Sequence, residues 1–318
     1  MKNLFSTYIL YKGRLRTKIA KRIGRELYTS LFPIYAGKKV LSAIETNDFI
    51  YQGLMSEKPF MACRFGSTEL NIVGTYHFHR ESEYQKEIEH VCFYSGFFPC
   101  DKELGYQFAE VMKEACTMAD LFSVWYMPYE DYFVKKYTQK QTRIAYLTSF
   151  EPWKVSNPWT RALKGKKVLV IHPFEDSVKA QYLKRNLLFG DSNILPEFEL
   201  KTLKAVQTLA GNEDERFDTW FDALQYMFDE AMKIDFDVAI IGCGAYGMPL
   251  AGMIKDAGKQ AVHMGGVTQI LFGIKGKRWE QEPAYTYIKD MMNDSWSYPL
   301  ETEKPKSSIQ IEGNCYWG

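Results

Sequence analysis

Apolar residues along the chain fall into two recurring patterns. Short unbroken runs rich in β-branched side chains and bounded by glycine or proline read as strands buried on both faces; they occupy residues 59–66, 120–127, 143–147, 165–172, 198–203, 237–242 and 260–264. Between them, apolar positions return every three or four residues and predict helices at 70–76, 81–91, 102–119, 173–189, 220–234 and 248–257. Strand and helix alternate, so the pattern predicts an α/β fold: a mostly parallel sheet with helices on both faces. No internal repeat or low-complexity segment interrupts it.

The first thirty residues differ. From residue 4 to 31 the apolar side chains Tyr11, Leu15, Ile19, Ile23, Leu27 and Leu31 recur every four positions, a helical stripe. Lys2, Lys12, Arg14, Arg16, Lys18, Lys21, Arg22 and Arg25 all precede the first acidic side chain, Glu26. Such a helix can rest on an anionic membrane surface, or dock on the protein with its basic face in water. Pro33 and Gly37 break the pattern, and a second helix is expected over 39–54. The chain thus divides into a basic helical segment, 1–58, and an α/β domain, 59–318. Its tail ends Cys315-Tyr-Trp-Gly318, an aromatic ending expected to dock back.

Bulk properties narrow the classes. With 318 residues, 46% of them hydrophobic, the chain can bury a substantial core. A formal charge of +1 excludes the strongly basic balance of a general nucleic-acid binder, so no nucleic-acid partner is expected. The six cysteines form no C-x-x-C pair and read as reduced thiols of a cytoplasmic protein. No run is long enough to cross a bilayer, which leaves peripheral contact with the inner face of the membrane through the basic helix.

Candidate chemistry clusters at strand ends, where open α/β sheets bind ligands. After the strand at 237–242 comes G-C-G-A-Y-G, with Gly242, Gly244, Tyr246 and Gly247, a G-x-G-x-x-G turn suited to a diphosphate at a helix N-terminus. A dinucleotide site also needs an acidic residue about 20 positions on to hold a ribose. None occurs between Asp256 and Glu280, so the turn is fit for phosphate without its NAD-specific part. The strand at 59–66 ends in Arg64 and Gly66, followed by Ser67 or Thr68 as a helix cap and Glu69 in the first turn. His172 ends another strand, with Glu175 and Asp176 next; catalysis and ordinary structure are both open to it. Beyond His263, Gly265, Gly266 and Gln269 lie Lys275, Lys277 and Arg278, cations able to neutralise a leaving diphosphate or simply form a solvated loop. Trp153 and Trp159, each beside a proline, are a sugar-stacking wall or core plugs.

The segment R-F-G-S-T-E at 64–69 resembles the R-F-G-D-G-E signature of GT-D type glycosyltransferases. V-I-H-P-F at 170–174, I-G-C-G-A-Y-G-M-P-L at 241–250, H-M-G-G at 263–266 and F-G-I-K-G-K-R-W at 272–279 are similar to a branch of that family associated with bacterial surface-polysaccharide loci. The likeness covers roughly residues 40–318. It implies a Rossmann-like, GT-D-like domain that moves a sugar from a nucleotide-sugar donor to a glycan or lipid-linked acceptor. It also implies a divalent metal, manganese or magnesium, at Glu69. Ser67 stands where the family has an aspartate, so diphosphate oxygens and water would supply the other ligands. Arg64, Gly66, the glycines and Tyr246 of the 242–247 turn, Gly265, Gly266, Gln269, Lys277 and Arg278 would then surround the donor. Glu69, His172, Glu175, Asp176 and His263 are the candidates to take a proton from the acceptor. A non-catalytic scaffold of the same fold and an NAD(P)-dependent oxidoreductase are the alternatives. The leading reading requires the glycine bends near 66 and 244 to open on one rim.

Overall fold

The computed structural model describes residues 2–212, 214–311, 313 and 315–318; Glu213 of the polar loop and the side chain of Lys2 lie outside the description. Helices α1 (Lys2–Ile23) and α2 (Arg25–Leu31) precede a hairpin of β1 (Ile34–Tyr35) and β2 (Lys38–Leu41), then α3 (Ala43–Met55). β3 (Phe60–Arg64) opens a long crossover through α4 (Ser67–His77), α5 (Tyr84–Ser95) and α6 (Lys102–Met118) to β4 (Leu121–Val124), and α7 (Glu130–Tyr137) leads to β5 (Arg143–Tyr146). β6 (Lys167–His172) is followed by α8 (Glu175–Tyr182), α9 (Arg185–Leu188) and β7 (Glu199–Lys204). Next come α10 (Trp220–Met232), β8 (Val238–Ile241), α11 (Gly247–Asp256) and β9 (Gln260–His263), then short helices α12 (Thr268–Leu271), α13 (Lys277–Gln281) and α14 (Thr286–Lys289).

One nine-stranded sheet runs β1-β2-β5-β4-β3-β9-β8-β6-β7, parallel throughout except for the β1–β2 hairpin. Side chains of a strand point alternately to its two faces, and the apolar runs divide accordingly. Met61, Cys63, Leu169, Ile171, Ala239 and Ile241 enter one core with α4, α6, α10 and α11. Phe60, Ala62, Val168, Val170, Val238 and Ile240 enter the other, beneath α3, α8 and the C-terminal region. Helices therefore cover both faces, as the alternation predicted.

The N-terminal third departs from expectation. Residues 39–41, expected to begin a helix, belong instead to β2, which pairs in parallel with β5. The cause is local: Ala36 and Gly37 take positive φ and turn a two-residue hairpin, and Ser42 starts α3 with a capping box to Glu45. The helix expected over 173–189 is split into α8 and α9. Gly66, rather than Ser67 or Thr68, caps α4. Gly24, at φ 89°, divides the first helix into two.

Helix α1 docks by its small residues. Ile9, Leu10, Gly13 and Ala20 are buried, and a Cβ on Gly13 would lie 2.8 Å from Pro128 Cα, too close for any side chain. Arg16 pairs with Asp131 on α7 at 2.8 Å. The stripe of Tyr11, Leu15, Ile19 and Ile23 consequently points away from the protein. Among the described residues no helix is long and apolar enough to cross a membrane.

Candidate functional site at the carboxyl edge of the sheet

β3, β9, β8 and β6 are consecutive neighbours and all parallel, so the loops leaving Arg64, His263, Ile241 and His172 share one rim. From β8 the chain passes to α11 on one face, and from β6 to α8 on the other. Open α/β sheets bind ligands in the crevice at such a reversal. The bends at 66 and 244 lie on this rim and are joined through Ser95: its hydroxyl hydrogen-bonds that of Thr68, and its carbonyl oxygen lies 3.6 Å from where a Cβ of Gly244 would stand.

Glycines let two charged side chains fold back onto the backbone. The Glu69 carboxylate lies so close over Gly66 that a Cβ there would overlap Oε2, and Thr68 Oγ1 donates to that oxygen at 2.9 Å. Arg64 donates from Nη1 to the Phe65 carbonyl at 2.9 Å and lies flat on Gly265, whose φ of +70° already disfavours a side chain. The two do not form an ion pair among the described contacts. Arg64 also approaches the ring of Trp125, just past the end of β4, at 5.8 Å.

The histidines serve as buried neutral groups. Burial lowers His172 to a pKa of about 3, and its Nδ1 accepts the N–H of Phe174 at 3.0 Å, holding the turn into α8. Burial and the charge of Arg64 likewise lower His263 to about 3, with Nδ1 facing the Ile241 carbonyl at 3.3 Å. Glu175 accepts from Thr202 at 2.6 Å and pairs with Lys179 at 2.8 Å, while the exposed Asp176 pairs with Lys179 at 3.4 Å. The first amides of α8 are taken by Glu303 from the tail, which accepts the Asp176 N–H at 2.7 Å and also binds Ser177. Nothing local in the sequence pairs residue 303 with residue 176.

The tail also closes over the other bend. Gln269 donates to the carbonyls of Lys275 and Tyr316, tying the basic loop to the terminus. Arg278 donates to the Tyr316 hydroxyl at 3.0 Å and lies over its ring, while the backbone of Lys277 donates to the Trp317 carbonyl. The Tyr316 ring packs on Gly266, with the Arg278 guanidinium over it. Gly242 packs against Thr268, and Tyr246 stacks on Trp220 in the core. The rim thus gathers Arg64, Gly66, Glu69, Gly244, Gly265 and Gly266. His172, Gln269, Arg278, Glu175 and Asp176 are engaged in holding structure around it.

A cavity lies farther along the same rim, beyond β4. It is a groove of about 1210 Å³ between α2, β2, the end of β5 and α14, walled by Arg25, Lys39, Tyr146, Trp153, Lys154 and Tyr287. None of the residues singled out at the glycine bends lines it. Trp153 faces the groove while Trp159 is a core plug, fully buried with its N–H on the Phe150 carbonyl. Trp125 joins the two regions, because Arg25 approaches its ring at 5.9 Å and Arg64 at 5.8 Å. Arg25 Nε, Arg64 Nε and Trp125 Nε1 are all buried without a hydrogen-bond partner among the described residues.

Under the groove sits Glu151, buried and accepting from Tyr287 Oη at 2.8 Å and Trp153 Nε1 at 3.1 Å. Burial raises its pKa from 4.5 to about 7, against the pull of Lys154. The folded value lies above the unfolded one, so the protonated form favours folding. That contribution is complete below pH 4.5 and is lost as pH rises through about 7, a change of about 3 kcal/mol. Glu151→Gln, which keeps the shape, should flatten the fall in thermal stability across this window; parallel melting-temperature profiles for wild type and variant would refute the assignment.

No family model matches the chain, and no curated protein matches it either. Two solved structures are similar to it: one described as a selenomethionine-substituted structure of domain of unknown function 1792, the other stating that this highly conserved domain has a distinct glycosyltransferase fold. Each is 12% identical, with a TM-score of 0.46, over 84% of this chain and 93% of that one.

Proposed function

We propose that the protein is a glycosyltransferase that moves a sugar from a nucleotide-sugar donor to a glycan or lipid-linked acceptor in surface polysaccharide synthesis. The donor diphosphate would lie at the rim between Gly66 and Gly244, and the acceptor in the neighbouring groove. The observation that carries this reading is the trio of buried, unpartnered N–H donors of Arg64, Trp125 and Arg25 where crevice and groove meet. Buried donors left without acceptors are costly, and two of these three are cationic, so an anionic, oxygen-rich ligand is the chemistry that satisfies them. The R-F-G-S-T-E signature lends separate support, since it carries Arg64 and Glu69.

Glycosyl transfer passes through an oxocarbenium-like state as negative charge grows on the departing diphosphate. Arg64 is the cation closest to that charge, and the glycine bends let the backbone approach it. Glu69, oriented by Thr68, is the carboxylate that takes the acceptor proton. The aromatic walls of the groove, Tyr146, Trp153 and Tyr287, suit stacking on sugar rings. The donor set does not fit a metal held by the protein: Glu69 stands without a second carboxylate at Ser67, and no group of three potential ligands occurs among the described residues. Packing of the Tyr316 ring on Gly266, beneath Arg278, favours a second reading, a non-catalytic scaffold whose tail covers the site.

A thermal-shift panel of UDP, GDP, CDP and dTDP, with and without manganese and beside NADH, tests the proposal. At least one diphosphate should stabilise the protein, by about 2–3 kcal/mol at 100 times its Kd, and Arg64→Ala should remove most of that gain. Absence of any shift with all four, or a shift with NADH alone, overturns it. Binding without hydrolysis or transfer of the sugar supports the scaffold.

A further inference from the structure

We infer that α1 is an interfacial helix that seats the protein on an anionic lipid bilayer. Leu4, Tyr8, Tyr11, Leu15, Ile19 and Ile23 form one continuous apolar ladder along its outer face, with exposures from 37% at Ile23 to 77% at Leu4. Isolated exposed apolar residues are ordinary, but a ladder along six turns of helix is not. The helix cannot roll to hide it. Its opposite face is fixed by buried Ile9, Leu10 and Ala20, by the contact of Gly13 with Pro128, and by the ion pair of Arg16 with Asp131.

Charge identifies what covers the ladder. Exposed Arg14, Lys18, Lys21 and Arg22 border it, and no acidic residue precedes Glu26, which is itself engaged by Lys154. Long basic side chains flanking an apolar face can bury their stems while their charges meet lipid phosphates. A second copy of the chain would bring the same cations together, an arrangement like charges oppose. The ladder continues past the bend at Gly24 through exposed Leu27 and Leu31. Lys21 and Leu27 also border the 1210 Å³ groove, so seating the helix brings the mouth of the groove to the bilayer surface.

Co-sedimentation of the full chain with vesicles of phosphatidylcholine and phosphatidylglycerol tests this without any nucleotide. The wild type should bind these vesicles, and bind less to phosphatidylcholine alone or at raised salt. Leu15→Glu with Ile19→Glu should weaken binding by roughly a hundredfold, and Lys18→Glu with Arg22→Glu should abolish the preference for anionic lipid. Because all four positions are exposed, both variants should melt like the wild type, and a melting curve checks this. Failure to bind anionic vesicles, or equal binding by the Leu15/Ile19 variant, overturns the inference. So does a stable dimer in solution that the Leu15/Ile19 variant converts to monomer, since the ladder would then be a contact between copies.

Discussion

Replacing Gly247 with alanine is expected to destabilise the fold by about 2–3 kcal/mol, although helix propensity alone predicts a gain of about 1 kcal/mol for the same change. The backbone at Gly247 is helical, φ −62°, so a side chain meets no conformational objection. The objection is spatial. An added Cβ would stand 2.2 Å from Nδ1 and Cε1 of His263, whose ring is buried against this glycine and faces the Ile241 carbonyl. The ring has to move, losing that contact in a close-packed layer. His263→Ala alone leaves a cavity, and the added methyl partly refills it. The double variant should accordingly cost less than the sum of the single changes, by about 1–2 kcal/mol. Denaturant unfolding of the three variants measures this; a neutral or stabilising Gly247→Ala would show that the ring moves freely.

The same contact explains how far the G-x-G-x-x-G turn could be read. Strand, turn and helix were legible because β-branched runs bounded by glycine leave few alternatives. The purpose of the third glycine was not, because His263 is sixteen residues away and meets it only once β8 and β9 pair. His172 shows the same limit. Its place at a strand end was plain, but the Phe174 amide it accepts is a product of the turn's geometry. Arg25, Trp125 and the groove were missed altogether. Arg25 lies on α2, Trp125 follows β4, and the groove is walled by α2, β2, the end of β5 and α14, so no local spacing relates them. Residues 39–41 read as helix because a four-residue strand is too short to show a period against the capped helix that follows.

Outward display of the α1 stripe was equally hidden. Periodicity identifies an apolar face but does not say whether protein or another phase covers it. Gly13 and Ala20 were the relevant signal, because small residues on the opposite face permit the closest approach of a helix to its support. Their spacing, with Ile9 and Leu10, marks the docked side.

Glu130→Ala should be the most damaging single change, costing about 4 kcal/mol or more and lowering the melting temperature by roughly 8 °C. The carboxylate is wholly buried just beyond the end of β4 and accepts the N–H groups of Trp125, Tyr126 and Met127, at 3.2, 2.8 and 3.3 Å, together with Tyr35 Oη at 3.0 Å. Burial raises its pKa to about 7 even against these four donors. Truncation strands all of them inside the protein. It also releases a loop in which Tyr126 and Tyr129 hold positive φ, unfavourable for aromatic residues without such anchoring. That loop carries Trp125 toward Arg64 and Arg25, and its Tyr126 carbonyl accepts the Thr17 hydroxyl of α1. One carboxylate therefore supports both the junction of crevice and groove and the seat of the amphipathic helix. The variant should lose diphosphate-induced stabilisation and become cleavable within α1, whereas Asp131→Ala, which removes only the ion pairs to Lys12 and Arg16, should expose α1 while leaving the nucleotide effect intact. Limited proteolysis beside thermal shift separates the two outcomes, and a Glu130→Ala protein within about 1 kcal/mol of wild type would show that water replaces the lost acceptor.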